Sequence, residues 1–252
     1  MNENTKLISL THCSNIVGSI NPINEIVSMA HAVGAKVVVD GVSYAPHSWP
    51  DVSELDVDAY SFSTYKTFGT HQGVMYVKPE FMKLLSPQCH FYSSGYISSY
   101  LDAAGPDHAS IAALAGLADF IEAVHQHHFT SQAESLQQKA SAVSNLLFQH
   151  ELSLCALFLE ALSHLPVRII GKTTMQRRET NVAFIPEAFT ATELADLLAE
   201  KGVVASPSHF DGCRLLKKLG VDPDQGVLRV SFAAYNSLED TETLIKALNS
   251  IL

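Results

Sequence analysis

The sequence predicts an α/β protein: part of a mainly parallel sheet with its helices, followed by a smaller C-terminal α+β domain. Two patterns and one quantity predict it. Short apolar or β-branched runs alternate with helix-spaced segments over about the first eighty residues, the order of a parallel sheet with crossover helices. After Pro166 the order becomes strand–strand–helix–strand–helix, which suits a separate α+β layer. The 252 residues are 47% hydrophobic and 17% charged, enough to bury a sizeable core and unlike a disordered chain.

The elements follow in order. Residues 7–10, LISL, read as a short strand, and residues 22–33 carry helical spacing that stops at Gly34. Residues 36–39, KVVV, form a strand buried on both faces that closes on Asp40. Residues 59–63, AYSFS, form another, and residues 74–77 follow a glycine-bearing turn. The run IAALAGLADFIEAV, within residues 108–126, reads as one amphipathic helix. A second long helical stretch covers residues 131–164. Beyond Pro166, residues 167–170, 181–185 and 203–205 read as strands, and residues 192–201 as a helix opening on a Thr/Glu start signal. Residues 213–219 are helical, 227–232 a strand and 238–251 the final helix. The domain boundary is expected after Thr130, giving residues 1–130 and 131–252, with the long linking helix in the second part.

The formal net charge of −10 argues against nucleic acid as a partner, because phosphate recognition needs the opposite balance. The N-terminus shows no signal or transit pattern, and the apolar stretches around 111–124 and 152–162 read as helical or too short to span a bilayer. The four cysteines form no CxxC pair, which argues against zinc and disulfides and for reduced thiols in a cytoplasm. His125 and His128 share a helix face in HQHH, but no HExxH accompanies them, so no metal is expected.

The chemistry concentrates in residues 36–66. One strand delivers Asp40 at its C-terminal end, and the next delivers Ser63 with Lys66 three residues later. Ligands of open α/β sheets bind outside those ends. A lysine there can form a Schiff base with a carbonyl cofactor, and an aspartate can keep a pyridine nitrogen protonated. On spacing alone, an Asp–Lys ion pair at the sheet edge is the simpler account.

The surrounding motifs carry more information. HCSNIVGSINPINEIVSMAHAVGAKVVVDGVSYAPH and DVDAYSFSTYKTFGTHQGVMYVKPE resemble the class V aminotransferases and cysteine desulfurases, fold-type I enzymes dependent on pyridoxal 5'-phosphate. AGPDHASIAALAGL, SPSHFDGCRLLKKLG and GVLRVSFAAYNSLED continue the resemblance nearly to the last residue. It implies that Lys66 is the Schiff-base lysine and proton shuttle and Asp40 the pyridinium partner. It further implies that Asn15 lies near the cofactor's phenolic oxygen, and that the Ser63 hydroxyl and Tyr65 phenol bind its phosphate. Arg229 matches the arginine holding the α-carboxylate of an amino-acid substrate, a task suited to a planar two-donor group. A homodimer is the implied assembly.

Some positions depart from the pattern. The loop that carries the desulfurase cysteine corresponds to SPSHFDG, and the cysteine's place is Asp211; Cys213 follows two residues later, at the expected start of a helix. Gly105–Pro106 stands where the family has the Gly-Thr that reaches the partner's phosphate. The family also has an N-terminal segment, before the strand matching 7–10, that binds the phosphate and stacks on the pyridine ring. The sequence is therefore expected to be truncated, with a contiguous half-sheet open at residues 7–10 and weak cofactor binding. The reading is a pyridoxal-phosphate enzyme acting at an amino acid's α-carbon. The alternatives are a non-catalytic remnant needing an N-terminal partner, and a desulfurase or lyase using Cys213.

Overall fold

The computed structural model describes residues 1–102, 105–130 and 135–252. The expected start of the long helix at residue 131 lies outside the described residues. The chain divides into two compact units, Met1–His12 with Asn21–Ser144, and Cys13–Ile20 with Asn145–Leu252.

The first unit contains β1 (Leu7–Thr11), α1 (Ile23–His31), β2 (Lys36–Asp40), α2 (Val52–Leu55), β3 (Ala59–Ser63), β4 (Gly73–Val77), α3 (Pro79–Met82), α4 (His108–Ala113) and α5 (Ala115–His128). The start of α6 (Leu136–Leu162) completes it. The strands lie in the order β1-β2-β3-β4, with the first three parallel and β4 antiparallel to β3. Ile23, Val27 and Ala30 recur at helical spacing, so one face of α1 is apolar. It packs on Val37, Val39, Val57 and Tyr60. Val37 and Val39 are fully buried, which contributes roughly 2 kcal/mol each.

At the N-terminal rim of this sheet, Asp58 is 1% exposed. It accepts the Val37 N–H at 2.8 Å, the Lys36 ammonium at 3.0 Å and His31 Nε2 at 2.9 Å. Burial pushes its carboxyl up, but these donors together outweigh burial and hold it below the ordinary range. The helix expected over residues 108–126 is two helices. Leu114 and Leu117 each bond three residues back, a tighter turn that interrupts the α-helical ladder.

The second unit holds the rest of α6, then β5 (Val167–Ile170), β6 (Asn181–Pro186), α7 (Ala191–Glu200), β7 (Ser206–Ser208), α8 (Cys213–Lys218), β8 (Val227–Ser231) and α9 (Leu238–Ile251). Its sheet is antiparallel throughout, in the order β5-β6-β8-β7. Strand alternation divides β6 between two cores. Val182 and Phe184 join Phe158 of α6, Leu194 of α7 and Leu248 of α9. Ala183 joins Ile16, Val17, Leu216 and Val227. Gly18 closes this second layer at φ +65, where a Cβ would lie 2.8 Å from the Asn181 carbonyl oxygen.

Two local expectations shift. The strand expected over residues 203–205 lies at Ser206–Ser208, because pairing of Ser206 with Arg229 sets its place; apolar Val204 is 91% exposed. Helix α7 starts one residue early because Thr190 caps it in a capping box with Glu193. Helix α6 is long and apolar enough to cross a bilayer by length and composition, unlike the short stretch expected there. Its Leu154, Cys155, Phe158, Leu159 and Leu162 are instead buried in the larger core.

Candidate functional site

In the first unit, β2 and β3 run parallel with Asp40 opposite Ser61. Both strands therefore end at one rim, where Asp40, Ser63 and the turn bearing Lys66 emerge. Asp40 is exposed, and its Oδ1 accepts the Val42 N–H at 2.9 Å. That bond holds one oxygen of the carboxylate against the turn. Gly41 follows because a Cβ there would lie 2.1 Å from Tyr60 Cε1.

A buried aromatic group backs the Asp40 turn. The His12 N–H donates to the Asp40 carbonyl at 2.7 Å. The His12 ring stacks on Tyr44 with centroids 3.5 Å apart, and its Nδ1 lies 2.9 Å from the Tyr60 hydroxyl. Burial pushes the His12 imidazole down to about 4, so it is neutral near pH 7.

Lys66 sits in a single 3-10 turn, Thr64–Thr67, directly after β3. Its ammonium is exposed and makes no ion pair among the described residues. The backbone beneath it is held by hydroxyls. Buried Thr64 shares its one hydroxyl proton between the carbonyls of Thr70 at 2.6 Å and Gln72 at 3.1 Å, and the Thr67 hydroxyl donates to the Thr64 carbonyl at 2.9 Å. Thr70 in turn donates to the Ser110 carbonyl at 3.0 Å. These bonds fix the backbone of the turn that bears Lys66. Tyr65 is half-exposed and lies parallel to His71, centroids 4.5 Å apart. Ser63 pairs with Gly73 across the sheet.

Asn15 and Arg229 belong to the second unit and meet there. Arg229 Nη1 donates to the Asn15 carbonyl at 2.8 Å. The Asn15 amide donates in turn to the Phe210 carbonyl at 2.9 Å. The Phe210 ring lies under the guanidinium, 3.9 Å from Cζ to centroid. Burial lowers the guanidinium's pKa, though an arginine remains a cation. Phe210 and Asp211 have φ of +46 and +61, a left-handed pair without glycine that costs of order 1 kcal/mol or more per residue. Cys213 is the first residue of α8, two positions past Asp211 and partly exposed.

Thus four of the expected residues, Asp40, Ser63, Tyr65 and Lys66, share one unit, and two, Asn15 and Arg229, touch in the other. Sequence reasoning missed the His12–Tyr44–Tyr60 group, the threonine pins and Phe210. The density of hydroxyls in STYKTFGT was a usable signal for the pins. Of the two histidines expected to share a helix face, His125 is buried against Phe129, while His128 is exposed. Among the described residues no group of three His, Cys, Asp or Glu is placed to hold a metal ion.

A family model described as aminotransferase class-V matches residues 1–244. The chain is 31% identical to the aminotransferase-like protein FGM3 of Gibberella zeae, across all of this chain and 60% of that one. It is 30% identical to a cysteine desulfurase of Synechococcus elongatus, covering 100% of this chain and 38% of that one. Among solved structures, the cysteine desulfurase CsdA of Escherichia coli matches 99% of this chain and 60% of its own, with TM-score 0.79 and 25% identity. The chain spans about 60% or less of the length of these relatives.

Proposed function

The chain belongs to the class V aminotransferase family, and from that premise we propose that it serves a pyridoxal-phosphate-dependent reaction at the α-carbon of an amino acid, with Lys66 as the reacting amine. The observation that carries this reading is the exposed Lys66 amine on a hydroxyl-pinned turn, at the same rim of the parallel β2–β3 pair as the exposed Asp40 carboxylate.

The donor set fits the cofactor: an amine for its carbonyl, a carboxylate for its ring nitrogen, and hydroxyls for its phosphate. When bound, pyridoxal phosphate supplies an electron sink for a bond broken at the α-carbon. The Asp40 carboxylate would hold the proton on the ring nitrogen. Lys66 Nζ accepts the α-proton and returns it. Ser63 and Tyr65 donate to the phosphate, and Asn15 belongs near the phenolic oxygen. Arg229 holds the substrate's carboxylate through the donors that Asn15 leaves unused. A homodimer belongs to the same reading and is supported by the exposed aromatics Phe91, Tyr92 and Tyr96 in the first unit; sedimentation velocity tests it.

Titration with pyridoxal phosphate tests the function. A new absorbance band near the visible edge is expected, and Lys66→Ala abolishes it. A band of equal strength in the variant assigns the amine elsewhere, and no band at saturation rejects the reading. A second reading, cysteine desulfuration through Cys213, is favoured by the relatives named desulfurases and by the partial exposure of this thiol beside the Phe210–Asp211 turn. Sulfide released from cysteine by the wild type in the presence of a dithiol reductant, which cleaves the persulfide formed on the enzyme, and lost in Cys213→Ala, supports it.

A further inference from the structure

We propose that Phe210 is a positioning residue for substrate recognition, its ring fixing the plane in which Arg229 meets a carboxylate. The proposal rests on the reading of Arg229 given above and extends it to a residue outside that set.

Three contacts close a ring within the second unit. Arg229 Nη1 donates to the Asn15 carbonyl, the Asn15 amide donates to the Phe210 carbonyl, and the Phe210 ring covers one face of the guanidinium. Each removes a different freedom. The hydrogen bond to Asn15 fixes one terminal nitrogen. The aromatic face fixes the tilt of the guanidinium plane. The bond from Asn15 to the Phe210 backbone ties the ring to the segment that anchors the arginine. The remaining donors, Nε and Nη2, then lie along one edge in a fixed plane, as two parallel bonds to a carboxylate require.

Phe210 can do this because its backbone is held too. The Phe210 N–H donates to Ser208 Oγ at 3.1 Å and the Asp211 N–H to His209 Nδ1 at 3.0 Å. The next residue, Gly212, lies so close to Ile16 that a Cβ would stand 2.1 Å from its Cδ1. Phe210 packs against the layer that contains Ile16, Val17 and Leu216. A left-handed phenylalanine and aspartate in succession are costly. That cost is understandable if the turn exists to present the ring.

The test uses the whole chain loaded with pyridoxal phosphate and 2-methylalanine as probe, which keeps the carboxylate and amine but has no α-proton to transfer. Calorimetry gives its dissociation constant. Phe210→Leu is expected to weaken binding roughly fivefold, the size of a cation–π contact at a half-exposed site. Phe210→Trp is expected to restore it, and urea midpoints of the two variants should agree. Should Phe210→Leu fail to fold, Phe210→Met fills the space without a ring and carries the same expectation. Arg229→Ala is the reference. If it weakens binding strongly while the Leu or Met variant binds like wild type, the role of Phe210 is overturned and that of Arg229 stands. If Arg229→Ala binds like wild type, the carboxylate reading fails and takes the proposal with it.

Discussion

The His12 imidazole lies flat against Tyr44, centroids 3.5 Å apart with 15° between the planes, and meets the Tyr60 hydroxyl through Nδ1 at 2.9 Å. The backbone N–H of His12 donates to the Asp40 carbonyl. A buried, neutral ring therefore stands directly behind the acid at the strand end.

Acid should loosen this arrangement. The ordinary imidazole value is 6.5 and burial lowers it to about 4 in the fold. Below 6.5 the unfolded chain takes up a proton that the folded chain refuses, so stability falls with pH from 6.5 to about 4. The full effect is roughly 3 kcal/mol. Urea stability of the wild type relative to His12→Gln, followed from pH 7 to pH 4, should decline by that order. A difference that stays flat across the window contradicts the depressed value.

Thr64→Val should loosen the Lys66 turn. The substitution keeps the shape but leaves the Thr70 and Gln72 carbonyls without their hydroxyl donor. A loss of about 1–2 kcal/mol is expected, with faster release of pyridoxal phosphate, and Thr64→Ser should recover both. Equal release rates in all three proteins would separate the hydroxyl from the site.

Gly41→Ala should be among the most damaging small changes, because the new methyl meets the Tyr60 ring at 2.1 Å. Overpacking of this kind costs about 1–3 kcal/mol. Pairing it with Tyr60→Leu should cost less than the sum of the single changes, since the two act on one space. Additive losses in thermal melts would place the strain somewhere other than the ring.

The thiols should fall into two classes. Cys13 and Cys155 are buried, and burial pushes them up to about 12 and about 11. Cys89 and Cys213 are partly exposed. Because the thiolate is the reactive form, iodoacetamide at pH 8 should label Cys89 and Cys213 in the folded protein and the other two only in urea. Rapid labelling of Cys155 in buffer would contradict its burial.

The strands of the first unit were legible because apolar runs such as KVVV end on charged or small residues, and Asp40 and Lys66 stood out at those ends. The final helix was legible from its pattern, and its Ser237–Asp240 capping box fixes the start. Other features depend on contacts between distant residues. Nothing local indicates that His12 is buried, since a histidine after a strand is ordinarily solvated. The break at Leu114 is a change of hydrogen-bond partner inside an unbroken apolar pattern. Placement of β7 follows from its ladder with β8, which outweighs the β-branched Val203 and Val204. Phe210 read as one letter of a loop motif, and its meaning needs the Arg229 strand beside it.

The eight residues Cys13–Ile20 pack with a unit whose other members begin at Asn145. During synthesis this segment leaves the ribosome well before its partners Ile170, Asn181, Leu216 and Arg229. At ordinary elongation rates the wait is roughly ten to forty seconds. Over that interval β1, α1 and β2 can already pair, while Ile16 and Val17 remain in a loop with nothing to cover them. The second unit's smaller core therefore closes only after translation has passed Arg229, and Ile16 and Val17 stay uncovered until then.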